Sequence, residues 1–222
     1  MVRGTPSAMA ADDSPFAAIE HALKRAAAAL RRAEIPFLLG GSLASWARGG
    51  PETTHDLDLM IRPQDADRAL EVLRDEGMQP ERPPEDWLVK AWDAGTLVDL
   101  IFCPKGMPID DDVIARGEVL SVLGLDIRVM ALEDVMVTKL MALSEHALRY
   151  ERLLQIARAL REQIDWDDVR ARTESSPFAR AFFVLLEGLD VLPERAPRAT
   201  RNRSRARVRV VTEPRSTPAQ AG

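Results

Sequence analysis

The sequence predicts an α+β protein with a small mixed β-sheet flanked by helices, followed by a C-terminal helical portion and a disordered basic tail. Three observations lead to this fold class. Short strand-like runs alternate with helical patterns up to about residue 130, and apolar residues then recur at helical spacing up to about residue 190. Residues 193–222 lose this apolar content, and eight arginines against two glutamates give them a net charge of +6.

These changes of pattern predict four parts: a flexible N-terminus (1–13), an α/β core (14–130), a C-terminal helical portion (131–192) and the disordered tail (193–222). Cys103 is the only cysteine of the 222 residues, which excludes an intrachain disulfide and a cysteine-based zinc site. Because the sequence has neither a signal-peptide pattern nor an apolar run of membrane-spanning length, we expect a cytoplasmic protein without membrane contact.

Within the core, Ser14-Pro15 and the helical spacing that follows predict a first helix, which ends near Ile35-Pro36. The next predicted elements are a strand at 37–40, a helix at 42–49, a strand at 55–61, an amphipathic helix at 65–76 and a polar, proline-rich link at 79–86.

Two hairpins are expected next, because each pair of strand-like runs flanks a turn signal. The first joins 87–92 to 96–102 through Asp93-Ala94-Gly95, and the second joins 118–123 to 125–130 through Gly124. The helical portion is predicted to hold helices at 132–146, 148–163, 166–172 and 176–190.

Three aspartates are candidates for metal chemistry. Asp56 and Asp58 are two residues apart on a predicted strand, so their side chains share one face with Cα atoms about 6.5–7 Å apart. Asp99 interrupts an apolar strand. Burial of its carboxylate would cost on the order of several kcal/mol unless the group is paired, hydrogen-bonded or bound to a metal. The two explanations are an ion pair with Arg62 or Arg128, and convergence of the three acids on Mg²⁺, which prefers oxygen ligands.

Gly40-Gly41-Ser42 follows a strand and opens a helix, where missing Cβ atoms allow close approach of a phosphate, although glycine pairs also mark ordinary turns. Lys139 lies in the middle of an apolar helical stripe. Either its stem carries the ammonium to the helix end, or the ammonium reaches a triphosphate. Thr54 is either a phosphate contact or an ordinary β-branched strand residue. Arg48 is either a phosphate contact or a surface arginine of a helix.

Together, Leu-Leu-Gly-Gly-Ser (38–42), Asp-Leu-Asp-Leu (56–59) and Val-Asp-Leu-Ile (98–101) resemble the nucleotidyltransferase superfamily with the DNA polymerase β-like palm. The stretch 134–169 is similar to the helical half of bacterial AbiEii and MenT-type nucleotidyltransferase toxins. The two resemblances cover about residues 15–190, and they imply the nucleotidyltransferase fold for the α/β core.

The resemblance also implies roles for individual residues. Asp56 and Asp58 would bind Mg²⁺ that carries the nucleoside triphosphate (NTP), and Asp99 would complete the metal site and help to activate the attacking hydroxyl. The implied nucleotide-binding residues are Gly40, Gly41, Ser42, Thr54 and Lys139. Relatives often carry an acid in the helix after the lysine, whereas this chain reads Leu-Arg-Tyr-Glu at 148–151, where Glu151 is the available acid.

The resulting hypothesis is a Mg²⁺-dependent enzyme that transfers a nucleoside monophosphate from an NTP to an acceptor hydroxyl. The favoured acceptor is an RNA, the end of a tRNA, in a toxin–antitoxin system with an antitoxin protein as partner. One alternative is a small-molecule acceptor such as an aminoglycoside. The other is a degenerate member that only binds a nucleotide or a partner.

Overall fold

The computed structural model describes residues 15–53 and 56–194, so the expectations for residues 1–13, for Thr54 and for tail residues 195–222 lie outside the described residues. The helices are α1 Pro15–Arg32, α2 Gly41–Trp46, α3 Ala66–Asp75, α4 Asp111–Arg116, α5 Leu132–Met141, α6 Tyr150–Leu160, α7 Trp166–Arg172 and α8 Pro177–Gly188. The strands are β1 Phe37–Leu39, β2 Leu57–Ile61, β3 Gln79–Glu81, β4 Leu88–Asp93, β5 Thr96–Ile101, β6 Glu118–Val122 and β7 Leu125–Val129.

The seven strands form one sheet in the order β3-β4-β5-β2-β1-β7-β6. The β2–β5 and β1–β7 pairs are parallel, and the other neighbours are antiparallel. The predicted fold class, a mixed sheet flanked by helices and followed by a helical portion, is confirmed.

Both hairpins lie where the turn signals predicted them. Ala94 (φ 48°) and Gly95 (φ 89°) form one turn, and Leu123 (φ 54°) and Gly124 (φ 71°) form the other. Two consecutive residues with positive φ are typical of the tight turns whose twist matches that of paired strands. The turn geometry fixes the register of β4 against β5, in which Lys90 is paired with Asp99.

Two elements escaped the sequence patterns. β3 lies within the predicted link at 79–86, and its three residues are all exposed, so main-chain pairing with β4 rather than side-chain burial holds it in place. α4 buries none of its side chains, and its start is stabilised by Asp110, whose carboxylate accepts a hydrogen bond from the Val113 amide (2.9 Å). β3 buries no side chain, and α4 packs only the partly buried Val113 and Ile114 against the core, so neither element produces a periodic signal.

The apolar side chains form two clusters, and α5 contributes to both. The first cluster packs α1, α2 and α3 on the sheet and includes Val135 of α5. The second joins α5 to α6, α7 and α8 and includes Met136 and Leu140. α5 therefore fixes the helical portion against the sheet. Within the described ranges, no helix is long and apolar enough to span a membrane.

A buried carboxylate of α5, that of Asp134, connects this helix to α4 and α7. Asp134 is 2% exposed, and it accepts two hydrogen bonds of 3.0 Å from the guanidinium of Arg116 in α4. It also accepts a hydrogen bond from Arg172 in α7. The two arginines are partly exposed, whereas the carboxylate depends on them for its hydrogen bonds.

We predict that Asp134→Ala lowers the free energy of unfolding by about 2 kcal/mol, because it removes the charge-assisted hydrogen bonds between the three helices. Asp168→Ala is the matched control, since Asp168 pairs with the same Arg172 (3.0 Å) at the exposed surface. The control should lose about 0.5 kcal/mol or less. Urea unfolding of both variants measures the difference, and equal losses would contradict the prediction.

Candidate active site

The two central acids face each other on adjacent parallel strands. Asp58 of β2 is the register partner of Asp99 of β5, so both side chains lie on one face of the sheet, about 4.8 Å apart at the backbone. Asp99 is only 9% exposed, Asp58 is partly buried, and Asp56, just before the strand, is exposed. β2 and β5 are therefore neighbours, which is the condition for the acids of these strands to converge on one cation.

The glycine pair is required by its packing against β2. Gly41 has φ +57°, and a Cβ atom there would lie 1.6 Å from Oδ2 of Asp58. A Cβ atom on Gly40 would lie 2.4 Å from Cε of Met60. The turn that opens α2 can therefore lie directly against the Asp58 carboxylate only because these residues have no side chains.

Lys139 reaches the same place from α5. Its Nζ lies 3.4 Å from Oγ of Ser42 and can donate a hydrogen bond to it. Burial lowers the pKa of Lys139, and the negative charge of Asp58 offsets part of this effect. The ammonium thus points toward α2 and the acids, as the triphosphate interpretation requires, instead of leaving the apolar stripe for open solvent.

A cleft of about 430 Å³ separates the sheet from the helical portion. Its lining residues are Ser42, Thr53, Asp56, Asp58, Lys139, Ala142, Leu143, Ala147, Arg149, Arg152 and Leu153. The sheet side carries carboxylates, and the helix side carries an ammonium and two guanidinium groups. This polarity suits a ligand that combines anionic phosphates with a bound cation.

The two arginines of the cleft were not predicted from the sequence. Arg149 and Arg152 lie at the start of α6, immediately before the buried Leu153. Their position in the cleft depends on how α6 packs, which could not be read from the chain. Glu151, the acid expected to matter here, is exposed and does not line the cleft.

The partner of Asp99 differs from both predicted arginines. Lys90 of β4 lies with Nζ 3.1 Å from Oδ1 of Asp99. Arg62 instead bonds Asp65 (2.7 Å) and Asp111 (2.9 Å), and Arg128 donates to the Gly117 carbonyl (2.6 Å). The predicted three-residue turn would have paired Trp92 with Thr96, whereas in the structure Asp93 pairs with Thr96, and this register brings Lys90 opposite Asp99.

Arg48 is directed away from the cleft. Its guanidinium lies 3.3 Å from Glu118 and 3.5 Å from the Val129 carbonyl, at the other edge of the sheet. Arg48 does not line the cleft, so its position does not support the interpretation as a phosphate contact.

Burial and mutual repulsion disfavour ionisation of the central acids. Desolvation raises the pKa of Asp58 to about 7, and the negative charges of Asp99 and Asp56 contribute to the increase, while Lys139 opposes it. Burial also raises the pKa of Asp99, and Lys90 offsets part of that effect. The buried Oδ1 of Asp99 has no well-aligned hydrogen-bond donor.

These properties fit a divalent cation. Three carboxylates supply the oxygen ligands that Mg²⁺ prefers, and a cation would remove the repulsion that raises the pKa of Asp58. Among the described residues, no three metal-binding side chains are already arranged around one point.

Comparisons with known proteins identify the family of the chain. The model of a family described as "Uncharacterised nucleotidyltransferase" matches residues 16–190. The chain belongs to this nucleotidyltransferase family. No curated protein matches the chain in sequence.

Solved structures share the fold of this nucleotidyltransferase at low sequence identity. The solution structure of the antibiotic-resistance factor ANT(2'')-Ia aligns with a TM-score of 0.54 at 14% identity, covering 77% of this chain and 96% of that one. The crystal structure of ANT(2'')-Ia in complex with adenylyl-2''-tobramycin aligns with a TM-score of 0.53 at 15% identity, covering 75% and 97%.

A third structure, TM1012 from Thermotoga maritima, has a TM-score of 0.44 at 18% identity over 64% of this chain and 92% of that one. The family match confirms the broad resemblance to nucleotidyltransferases, and the narrower similarity to AbiEii and MenT-type toxins is not confirmed.

We predict that Gly41→Ala in this nucleotidyltransferase lowers activity at least about 100-fold, because the new methyl group displaces the Asp58 carboxylate. Gly49→Ala is the matched control: Gly49 also has positive φ (+91°), but a Cβ atom there would meet nothing within 4 Å. The control should lose only about 1 kcal/mol of stability and keep its activity. Equal activity in the two variants would contradict the contact.

We also predict that Asp58→Asn stabilises the ligand-free protein at alkaline pH. The pKa of Asp58 rises from 3.8 to about 7 on folding, so the carboxyl destabilises the fold increasingly between pH 4 and 7 and fully above pH 7. The amide should raise the free energy of unfolding at pH 8 by roughly 2 kcal/mol, with solvent access to the cleft taken into account.

The gain from Asp58→Asn should vanish near pH 4, where the carboxyl is protonated in the folded and unfolded protein alike. Asp56→Asn, which changes an exposed carboxylate, should shift stability by about 0.5 kcal/mol or less at either pH. Denaturant unfolding at pH 4 and pH 8 tests this, and a wild-type protein more stable than Asp58→Asn at pH 8 would refute it.

Proposed function

We propose that this nucleotidyltransferase moves a nucleoside monophosphate from an NTP to an acceptor hydroxyl and releases pyrophosphate. One observation carries the proposal: Asp58 and Asp99 are register partners on parallel strands, with the ammonium of Lys139 facing Asp58 across the cleft. Paired carboxylates opposite a compact cationic group are what a metal-bound triphosphate requires.

In this proposal Asp56 and Asp58 hold Mg²⁺, and Asp99 completes the carboxylate set on the acceptor side. When bound, Mg²⁺ would neutralise charge that develops on the α-phosphate and the leaving pyrophosphate. Gly40, Gly41 and Ser42 would bind the phosphates at the start of α2, where the first backbone N–H groups have no partner within the helix.

Lys139 and the two arginines of the helix wall, Arg149 and Arg152, neutralise the triphosphate from the opposite side. Thr54 precedes Asp56 by two residues, and we propose that it contacts the nucleotide. Arginine forks bind phosphate oxygens in pairs, whereas the lysine acts as a point charge. Together these groups would orient the α-phosphate toward the carboxylates.

Asp99 is the proposed proton acceptor. Its raised pKa brings the carboxylate closer to the working pH, as general-base catalysis favours. The acceptor oxygen would attack the α-phosphorus as its proton passes to Asp99, and the bond between the α-phosphorus and the bridging oxygen of pyrophosphate would break.

For the acceptor we propose an RNA, the end of a tRNA, with the protein acting as a cytoplasmic toxin bound by an antitoxin protein. The resemblance of residues 134–169 to nucleotidyltransferase toxins supports this choice. The +6 charge of residues 193–222 supports contact with RNA phosphates, while the rest of the chain has a net charge of −11.

A small cationic acceptor such as an aminoglycoside is the second candidate. It is favoured by the fold shared with ANT(2'')-Ia, one structure of which holds adenylyl-2''-tobramycin. The acidic side of the cleft, with the exposed Asp56, would attract amines.

We predict that the purified chain transfers label from at least one α-labelled NTP in the presence of Mg²⁺, and that Asp58→Ala reduces transfer at least about 100-fold without unfolding. Asp126→Ala, which removes an exposed carboxylate from β7, is the control and should remain active. Total tRNA and a panel of aminoglycosides are offered in parallel, so the labelled product identifies the acceptor class. No transfer with any NTP and acceptor, or undiminished transfer by Asp58→Ala, would overturn the proposed function.

A further inference from the structure

A row of four charged residues crosses the sheet through the site. Glu81 of β3 pairs with Lys90 of β4, Lys90 pairs with Asp99 of β5, and Asp99 pairs with Asp58 of β2. Residues that are directly opposite on neighbouring strands share a face, so the charges along the row are negative, positive, negative and negative. The only positive charge in the row is a lysine on the far side of Asp99 from Asp58.

The ion pair between Lys90 and Asp99 is well enclosed. The two side chains are 21% and 12% exposed, and the ammonium lies 3.1 Å from Oδ1. Glu81, the other acid beside Lys90, accepts a 2.6 Å hydrogen bond from the indole N–H of Trp92. Asp99 is therefore the carboxylate that Lys90 neutralises, and it is the acid on the acceptor side of the proposed reaction.

A second divalent cation at Asp99 would meet two obstacles. One oxygen of the carboxylate already faces an ammonium, and two positive charges at such short separation repel each other strongly inside a protein. The positive charge of Lys90 also extends to Asp58, where it favours the ionised carboxylate. The charge that a second metal ion would supply at the acceptor side is thus already provided by a side chain.

On the basis of the proposed function, we infer that this enzyme works with one divalent cation, bound with the NTP at Asp56 and Asp58, and that Lys90 replaces a second cation at Asp99. Lys90 is then a positioning residue. It offsets part of the negative charge of Asp99 and lies beside one of its oxygens, which leaves the other oxygen for the proton of the acceptor hydroxyl.

The test counts the metal ions that bind to the purified protein. Mn²⁺ is titrated into wild type and into Lys90→Met with the α,β-methylene analogue of the NTP that the enzyme uses, and bound Mn²⁺ is counted by electron paramagnetic resonance. We expect one Mn²⁺ per chain in wild type and two in Lys90→Met, where the unpaired Asp99 can bind a second ion. Lys90→Arg keeps the charge and should bind one, as should Lys24→Met, which alters an exposed lysine of α1 paired with Glu20.

Kinetics give an independent readout that a purely structural ion pair would not change. The wild-type rate should not depend on free Mg²⁺ once all NTP is complexed. The rate of Lys90→Met should be at least about tenfold lower at low free Mg²⁺ and should recover as free Mg²⁺ rises, because a second ion then replaces the ammonium.

Two Mn²⁺ ions in wild type would overturn the inference, as would one Mn²⁺ and no dependence on free Mg²⁺ in a folded Lys90→Met. If Lys90→Met fails to fold, the wild-type and Lys90→Arg counts still decide. A wild-type chain that transfers nucleotide but holds two ions refutes this inference and leaves the proposed function intact. A chain that neither transfers nucleotide nor binds Mn²⁺ with the analogue refutes both.

Discussion

The parallel pairing of β2 with β5 is the constraint on which the site depends. It places Asp58 opposite Asp99 in a sheet whose other side chains are largely apolar, so two like charges are forced together where water is scarce. The surrounding features relieve this repulsion. Lys90 approaches Asp99 from β4, Lys139 approaches Asp58 from α5, and Gly41 leaves space for the carboxylate. A bound cation would remove the electrostatic repulsion that remains between the two carboxylates.

The position of Lys139 follows from apolar packing and not from its charge. Val135 packs into the sheet core and Leu140 packs into the helical core, so burial on two sides fixes both the rotation and the depth of α5. A lysine at 139 is then carried to Ser42 whether or not a ligand is bound. This is pre-organisation: folding, not binding, fixes the ammonium in place, so less freedom remains to be lost when a triphosphate enters.

The sequence predicts well what depends on local rules. The hairpins follow from turn residues, the strand carrying Asp58 follows from alternation, and Lys139 stands out because a charge interrupts an apolar stripe. It fails where tertiary placement decides. Which cation reaches Asp99 depends on strand order and register, and the cleft arginines depend on how α6 docks. β3 and α4 are set by main-chain pairing and by a cap, neither of which requires an apolar pattern.

The cations nearest to the two central acids are lysines and not arginines. The chain has 26 arginines and only four lysines, yet Lys90 and Lys139 are the cations that face Asp99 and Asp58. A guanidinium would bind a carboxylate through two parallel hydrogen bonds and occupy both of its oxygens. An ammonium is a compact charge that contacts one oxygen and leaves the other free. Lys90 therefore offsets the charge of Asp99 and leaves one of its oxygens able to accept a proton, while Lys139 offsets the charge of Asp58 without a bidentate contact that would block a cation.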